Sequence, residues 1–196
     1  MKPSGRPRST RDRPAKAPLS EEAIVDAALA ILKAEGLEAV SMRRVAAALD
    51  TGAGSLYVYV DGRDGLLEAM FDRIIEAVKL ETPDPSRWRA QLHNLLERVR
   101  AGLVAHPGMA AATMVDPPRT AVAMRLLENL LGILLAGGLD AQDAAWAADI
   151  LAAQVTYAAV EAELRRTDPS ALAAEITANF ARLPADGFPQ IGRAHV

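Results

Sequence analysis

Cysteine is absent from this 196-residue chain. That excludes disulfides and thiolate metal sites and fits a reducing compartment. Aromatic residues make up only 4%, and His93, His106 and His195 are the sole histidines, scattered and without Cys, so neither a metal nor a cofactor is expected. Runs of Val, Ile and Thr with period-two alternation are missing, and with them the signature of a half-buried strand. No apolar run is fit to span a bilayer, because the most apolar stretch, 121–139, is interrupted by Arg125, Glu128 and Asn129. Residues 1–17 are basic and proline-rich with no apolar core behind them, so no secretory signal, no membrane partner and a cytoplasmic location are expected. There is no Gly-rich phosphate loop, no G-x-S-x-G and no nucleophile with a matching His/Asp set; catalysis is not expected.

What is present is alanine, leucine and helical periodicity. Half of the chain is apolar, ample for a core, and the pattern favours an all-helical protein of one large or two small domains. The formal charge of −3 hides an asymmetry. Residues 1–17 carry six basic groups against Asp12, a net of +5, which leaves −8 on the remainder. A basic arm on an acidic body is a pattern of tails that meet nucleic acid, although a solvated tail without a partner has the same composition.

Residues 1–18 read as a flexible arm. Ser20 is placed to cap a first helix over 20–35, with Ile24, Ala27, Ala28 and Ile31 on its buried face and Gly36 ending it. Ser41 caps a second helix with Met42, Val45, Ala46 and Leu49 inward, and Asp50-Thr51-Gly52 is turn chemistry. A third helix must lie within 53–59. The fourth begins near Arg63 and bears a double-width stripe, Leu66, Leu67, Met70, Phe71, Ile74, Ile75 and Val78. Thr82-Pro83-Asp84-Pro85 is the clearest break, dividing a domain at 19–81 from one at 82–183. Beyond it, helices are expected from Trp88 to before Pro107, near 108–115, at 119–136, at 141–166 and from Asp168 to about Arg182, with a loose tail at 184–196. The 119–136 helix is apolar almost all round and should be central. On the 141–166 helix, Trp146, Ile150, Leu151, Val155, Tyr157 and Val160 point toward partners.

The stretch from Ser41 to Leu67 orders its pieces as a helix-turn-helix does, with a second helix able to enter a DNA major groove. From Gly36 to Leu67 the sequence GLEAVSMRRVAAALDTGAGSLYVYVDGRDGLL resembles, without a gap, the N-terminal domain of the tetracycline repressor (TetR) family. The match comprises a Ser cap, the R-x-[VIL]-A-x-x-[LA] helix, the turn, an S-L-Y-x-Y-V segment and a basic residue before paired leucines. The resemblance implies a three-helix helix-turn-helix head and a helical regulatory body that senses a ligand and forms a homodimer. In the body it rests only on helix count and on AGLVAHPGM, and so names no ligand.

Carried onto this chain, the resemblance puts Ser41, Met42 and Arg43 beside the DNA backbone and Ala53, Gly54 and Ser55 at the groove floor. It has Tyr57 and Tyr59 donating to phosphates and Arg63 pairing with one, while Val45 and Leu56 are core. Residues two apart on a helix cannot share one core, so at least one of the tyrosines is outward. Gly62 stands where Asn or Ser usually caps the fourth helix, and Gly54 weakens a short helix by about 1 kcal/mol relative to Ala. Because residues 53–55 offer one hydroxyl, base readout would lean on Arg43, Ser55, thymine contact by Ala53 and DNA shape. In the arm, Gly5-Arg6-Pro7-Arg8 resembles a minor-groove motif and assigns Arg6 and Arg8 to DNA.

In the body, Leu96, Met109, Thr113, Met114, Gln154 and Tyr157 are the candidate ligand residues: a few polar groups in an apolar wall, although apolar residues at such spacing are commonly core. Thr113 takes what corresponds to the magnesium-holding histidine of tetracycline-type pockets, which argues against a metal-held ligand. Together these readings point to a transcriptional regulator, a repressor released from a palindromic duplex operator by a small apolar or amphipathic effector. The alternatives are a constitutive DNA-binding helical dimer and, further off, a helical enzyme.

Overall fold

In a computed structural model of the chain, residues 18–114, 119–165, 169–182 and 187 are described, and every regular element among them is helical. Arg6, Arg8 and the rest of the arm to residue 17 lie outside the described residues, as do 184–186 and 188–196 of the tail.

The head begins with α1 (Glu21–Glu35), capped where Ser20 Oγ accepts the Ala23 N–H at 3.2 Å. Ile24, Ala28 and Ile31 are buried as the periodicity predicts, and Val25 and Leu32 join them. A 3-10 turn at Leu37–Ala39, absent from the sequence reading, leads to α2 (Met42–Ala48). Asp50 then adopts a left-handed φ of 49°, which a short polar side chain tolerates, and this reverses the chain into α3 (Ala53–Leu56). α3 is a single turn. Tyr57-Val58-Tyr59-Val60 is β-branched and aromatic, and such residues extend a helix poorly; turns carry the chain on, with the Val60 N–H still reaching the Leu56 carbonyl at 3.1 Å.

α4 (Gly62–Glu76) joins the two halves of the molecule. Leu66, Leu67, Met70 and Ile74 enter the head core with α1 and α2, whereas Phe71 also packs with Leu103 and Ala159, and Val78 joins the body core. The double-width stripe therefore packs both against the elements that precede it and against those that follow. The body comprises α5 (Trp88–Val104), α6 (Met109–Thr113), α7 (Ala121–Ala136), α8 (Ala141–Arg165) and α9 (Pro169–Phe180). α8 lays Ala144, Ala148, Val155 and Ala159 inward, and their small size lets it pack closely along α5 and α7.

Two expectations are corrected. α7 is not enclosed: Leu130, Ile133 and Leu134 are buried, but Met124 and Leu135 are about half exposed (49% and 48%), while Leu126 and Leu127 border an open cavity. Its apolar excess faces space and solvent as well as core. Met109, assigned to ligand, is fully buried in the head core, because α6 docks on the head rather than only on the body. Gly108 permits that docking. Its φ is +90°, and a Cβ there would stand 2.9 Å from the Leu37 Cβ.

The Thr82–Pro85 break is held firmly. Buried Gln91 accepts the Asp84 N–H through Oε1 and donates to the Thr82 carbonyl through Nε2, each at 2.8 Å. Asn129 donates to the Glu81 carbonyl at 2.8 Å. Gln91→Ala strands two backbone groups, and the expected loss is about 1–3 kcal/mol of unfolding free energy, read by urea denaturation. An unchanged midpoint contradicts the pinning.

Candidate functional site

One end of the head gathers most of the residues assigned to DNA. Ser41 Oγ accepts the Arg44 N–H at 3.2 Å and so starts α2, and α3 packs against α2. Arg63 Nε donates to the Val40 carbonyl at 3.3 Å, which sets the start of α4 beside the start of α2. From this frame Arg43, Gly54, Ser55, Tyr57, Tyr59 and Arg63 are exposed. Tyr57 (58%) and Tyr59 (40%) are both outward, so neither is a core aromatic.

The two arginines of α2 separate clearly. Arg44 forms an ion pair with Glu35 through Nε and Nη2, and this hydrogen bonding holds the Glu35 carboxyl below the usual carboxylate range. Arg43 has no ion-pair partner among the described residues, so its guanidinium is available to a phosphate or a guanine edge.

Met42 is a correction: its side chain is buried in the head core and is not free to meet DNA. Ala53 leans partly on the same core, which limits it as a thymine contact. Val58, at 80% exposure between the two tyrosines, was missed. An apolar residue so exposed on this face can meet sugar or thymine methyl groups; its β-branched apolar side chain reads in sequence as core, and only the packing of the turn turns it outward.

The second feature is a cavity of about 860 Å³ between α4, α6, α7 and α8. Its size lies within the range of small-molecule sites, about 300–1,000 Å³. Leu67 and Phe71 of α4 and Leu126, Leu127 and Leu130 of α7 supply apolar wall. Of the candidate ligand residues, Thr113 and Met114 border it, the Thr113 hydroxyl donating to the Met109 carbonyl at 2.9 Å. Leu96 instead packs half-buried on the body core, and Gln154 and Tyr157 are exposed on α8 and do not border the cavity. The wall supplied by α4 was missed, because it depends on how α4, α6, α7 and α8 are placed around one space and not on any one helix alone.

Asp72 borders the cavity and accepts a hydrogen bond from Thr120 Oγ1 at 2.7 Å. Burial pushes its carboxyl above the ordinary value, reinforced by Glu76 and opposed by that hydrogen bond and by Arg125. A carboxyl raised in the folded state disfavours the fold while ionised, a penalty relieved as pH falls through the carboxylate range. Among the described residues no group of three His, Asp or Glu side chains is arranged to hold a metal, and no helix is long and apolar enough to cross a membrane.

Residues 24–70 match the family described as "Bacterial regulatory proteins, tetR family", and residues 82–195 match the "Tetracyclin repressor-like, C-terminal domain". The chain belongs to the TetR family. Among its structural relatives, ActR from Streptomyces coelicolor is 37% identical in its apo form with a TM-score of 0.74, covering 90% of this chain and 83% of that one. ActR has also been solved with actinorhodin and with (S)-DNPA. The HTH-type transcriptional repressor DrrR1 of Streptomyces coeruleorubidus is 37% identical over 138 residues, 66% of this chain but only half of the length of DrrR1. BioQ, solved from Mycobacterium smegmatis and also with its natural double-stranded DNA operator, is 27% identical with a TM-score of 0.68. That similarity covers 76% of this chain and 82–90% of BioQ. In this TetR-family chain the helix that carries Arg63 into the head face is the helix whose Leu67 and Phe71 wall the cavity.

Proposed function

We propose that this TetR-family regulator binds a palindromic duplex operator as a homodimer, represses transcription there, and is released by a small apolar or amphipathic effector held in the α4–α6–α7–α8 cavity. The observation that carries the reading is α4 itself, one rigid helix of fifteen residues with a DNA-facing arginine at its start and cavity wall along its length. An effector that fits one inclination of α4 better than another shifts the spacing of the heads by no more than that difference in affinity.

Dimerisation is supported by the outer side of α8. Trp146, Ile150, Tyr157 and Leu164 follow one another at intervals of four, seven and seven, share one face, and are all more than half exposed. So large an apolar stripe on a helix already packed on its other side fits a second copy of the chain. A two-fold dimer then presents its heads to half-sites about 34–36 Å apart or a multiple of that.

The experiment is the anisotropy of a labelled operator duplex titrated with the protein alone and with actinorhodin or other amphipathic small molecules. One or more compounds should weaken binding about 5–150-fold, the usual span of coupling between two sites. Affinity unmoved by every compound favours the constitutive DNA-binding dimer instead.

A further inference from the structure

The cavity carries an electrostatic signature that the apolar walls do not explain. Asp61, Asp64, Glu68 and Asp72 follow one another along α4 at intervals of three and four, and all border the cavity. Asp149 joins them from α8 across the opening. Arg119 is the one cation among the described residues of the wall.

Two of these carboxylates have an ordinary explanation. Asp61 and Asp64 flank the start of α4, where negative charge suits the positive end of a helix. Glu68, Asp72 and Asp149 do not lie at a helix start, and neither Glu68 nor Asp149 has an ion-pair partner among the described residues. Asp72 is spoken for by Thr120, yet its partial burial still leaves the charged form short of solvation. Five carboxylates against one guanidinium around a partly apolar recess leave a net negative field in it, which concentrates counter-charged solutes there. A neutral apolar ligand gains nothing from that field, and an anion is repelled by it.

We infer that the cavity takes a lipophilic cation, an organic ligand whose apolar body rests on Leu67, Phe71, Leu126 and Leu127 while its positive charge sits among Glu68, Asp72 and Asp149. The inference rests on the effector-cavity reading above and narrows it from apolar or amphipathic ligands in general to those of one charge. The apolar contact supplies area, and the carboxylates discriminate by charge.

Tetraphenylphosphonium and tetraphenylborate, nearly identical in shape and opposite in charge, separate the two contributions. Calorimetric titration of the full chain should show the phosphonium binding at least about tenfold more tightly than the borate. Glu68→Gln with Asp149→Asn, both exposed positions, should bring the two affinities to within about twofold, chiefly by weakening the phosphonium. Borate binding equal to or tighter than phosphonium, a preference that survives the double substitution, or binding of neither ion overturns the inference.

Operator release is scored separately. A phosphonium that binds through Glu68 and Asp149 but leaves the operator complex intact upholds the charge preference and removes the effector role. Release by neutral or anionic compounds, with no preference for the cation, upholds the effector role and overturns the charge preference.

Discussion

Trp146→Asp with Ile150→Asp should convert the protein to a monomer and weaken its binding to a palindromic operator by at least about 100-fold. Both side chains are exposed on the outer face of α8, away from the inward row of Ala144, Ala148 and Val155, so the substitutions leave the subunit core untouched. In the proposed dimer the same positions would meet their symmetry mates, and four carboxylates in an apolar seam cannot be desolvated without a large penalty. Separating the heads removes the effective concentration that one bound head gives the other, a factor on the order of 100–10,000. Sedimentation gives the mass and anisotropy gives the affinity. A variant that stays dimeric places the interface elsewhere; a monomer that retains full affinity removes the two-fold model of operator binding.

Arg63→Ala combined with Tyr57→Phe is the second large effect, a loss of operator affinity of about 30–2,000-fold. A charge-assisted contact from Arg63 accounts for most of it, at about 1.5–3 kcal/mol, and the neutral Tyr57 hydroxyl for about 0.5–1.5 kcal/mol. The two separate by salt. Arg63→Ala removes a cation from the phosphates, so the slope of log affinity against log salt should shrink by about 0.9, whereas Tyr57→Phe leaves the slope alone. Neither substitution reaches the core, because both side chains are exposed. Among the described residues, the intramolecular link lost is the Arg63 bond to the Val40 carbonyl, which a melting curve of the variant monitors. Affinity and slope both unmoved would mean that these side chains do not meet DNA.

The same two halves of the molecule differ in how far the sequence reveals them. The head was readable because its signals are local. Ser20 and Ser41 each bond to a backbone N–H three residues on, and Asp50 makes its turn within its own dipeptide. Even there, the burial of Met42 and the pairing of Arg44 with Glu35 had to come from packing between elements. The body was readable as a set of helices but not as a cavity. A row such as Leu126, Leu127 and Leu130 looks the same in sequence whether it meets another side chain or open space. Tyr157 shows the converse: on a helix apolar on two sides, periodicity alone does not say which side looks inward, and it lies on the outer one. Met109 went astray because α6 lies within the body in sequence yet packs on the head as well in space, through the close approach of Gly108 to Leu37.

The most direct measurement is selection of bound duplexes from a random DNA pool by the 196-residue chain at physiological salt. Enrichment of a palindrome whose half-sites lie about 34–36 Å apart, or a multiple of that, is the predicted result. Binding to every duplex alike, weakening with salt and enriching no sequence, would contradict a sequence-specific dimeric regulator.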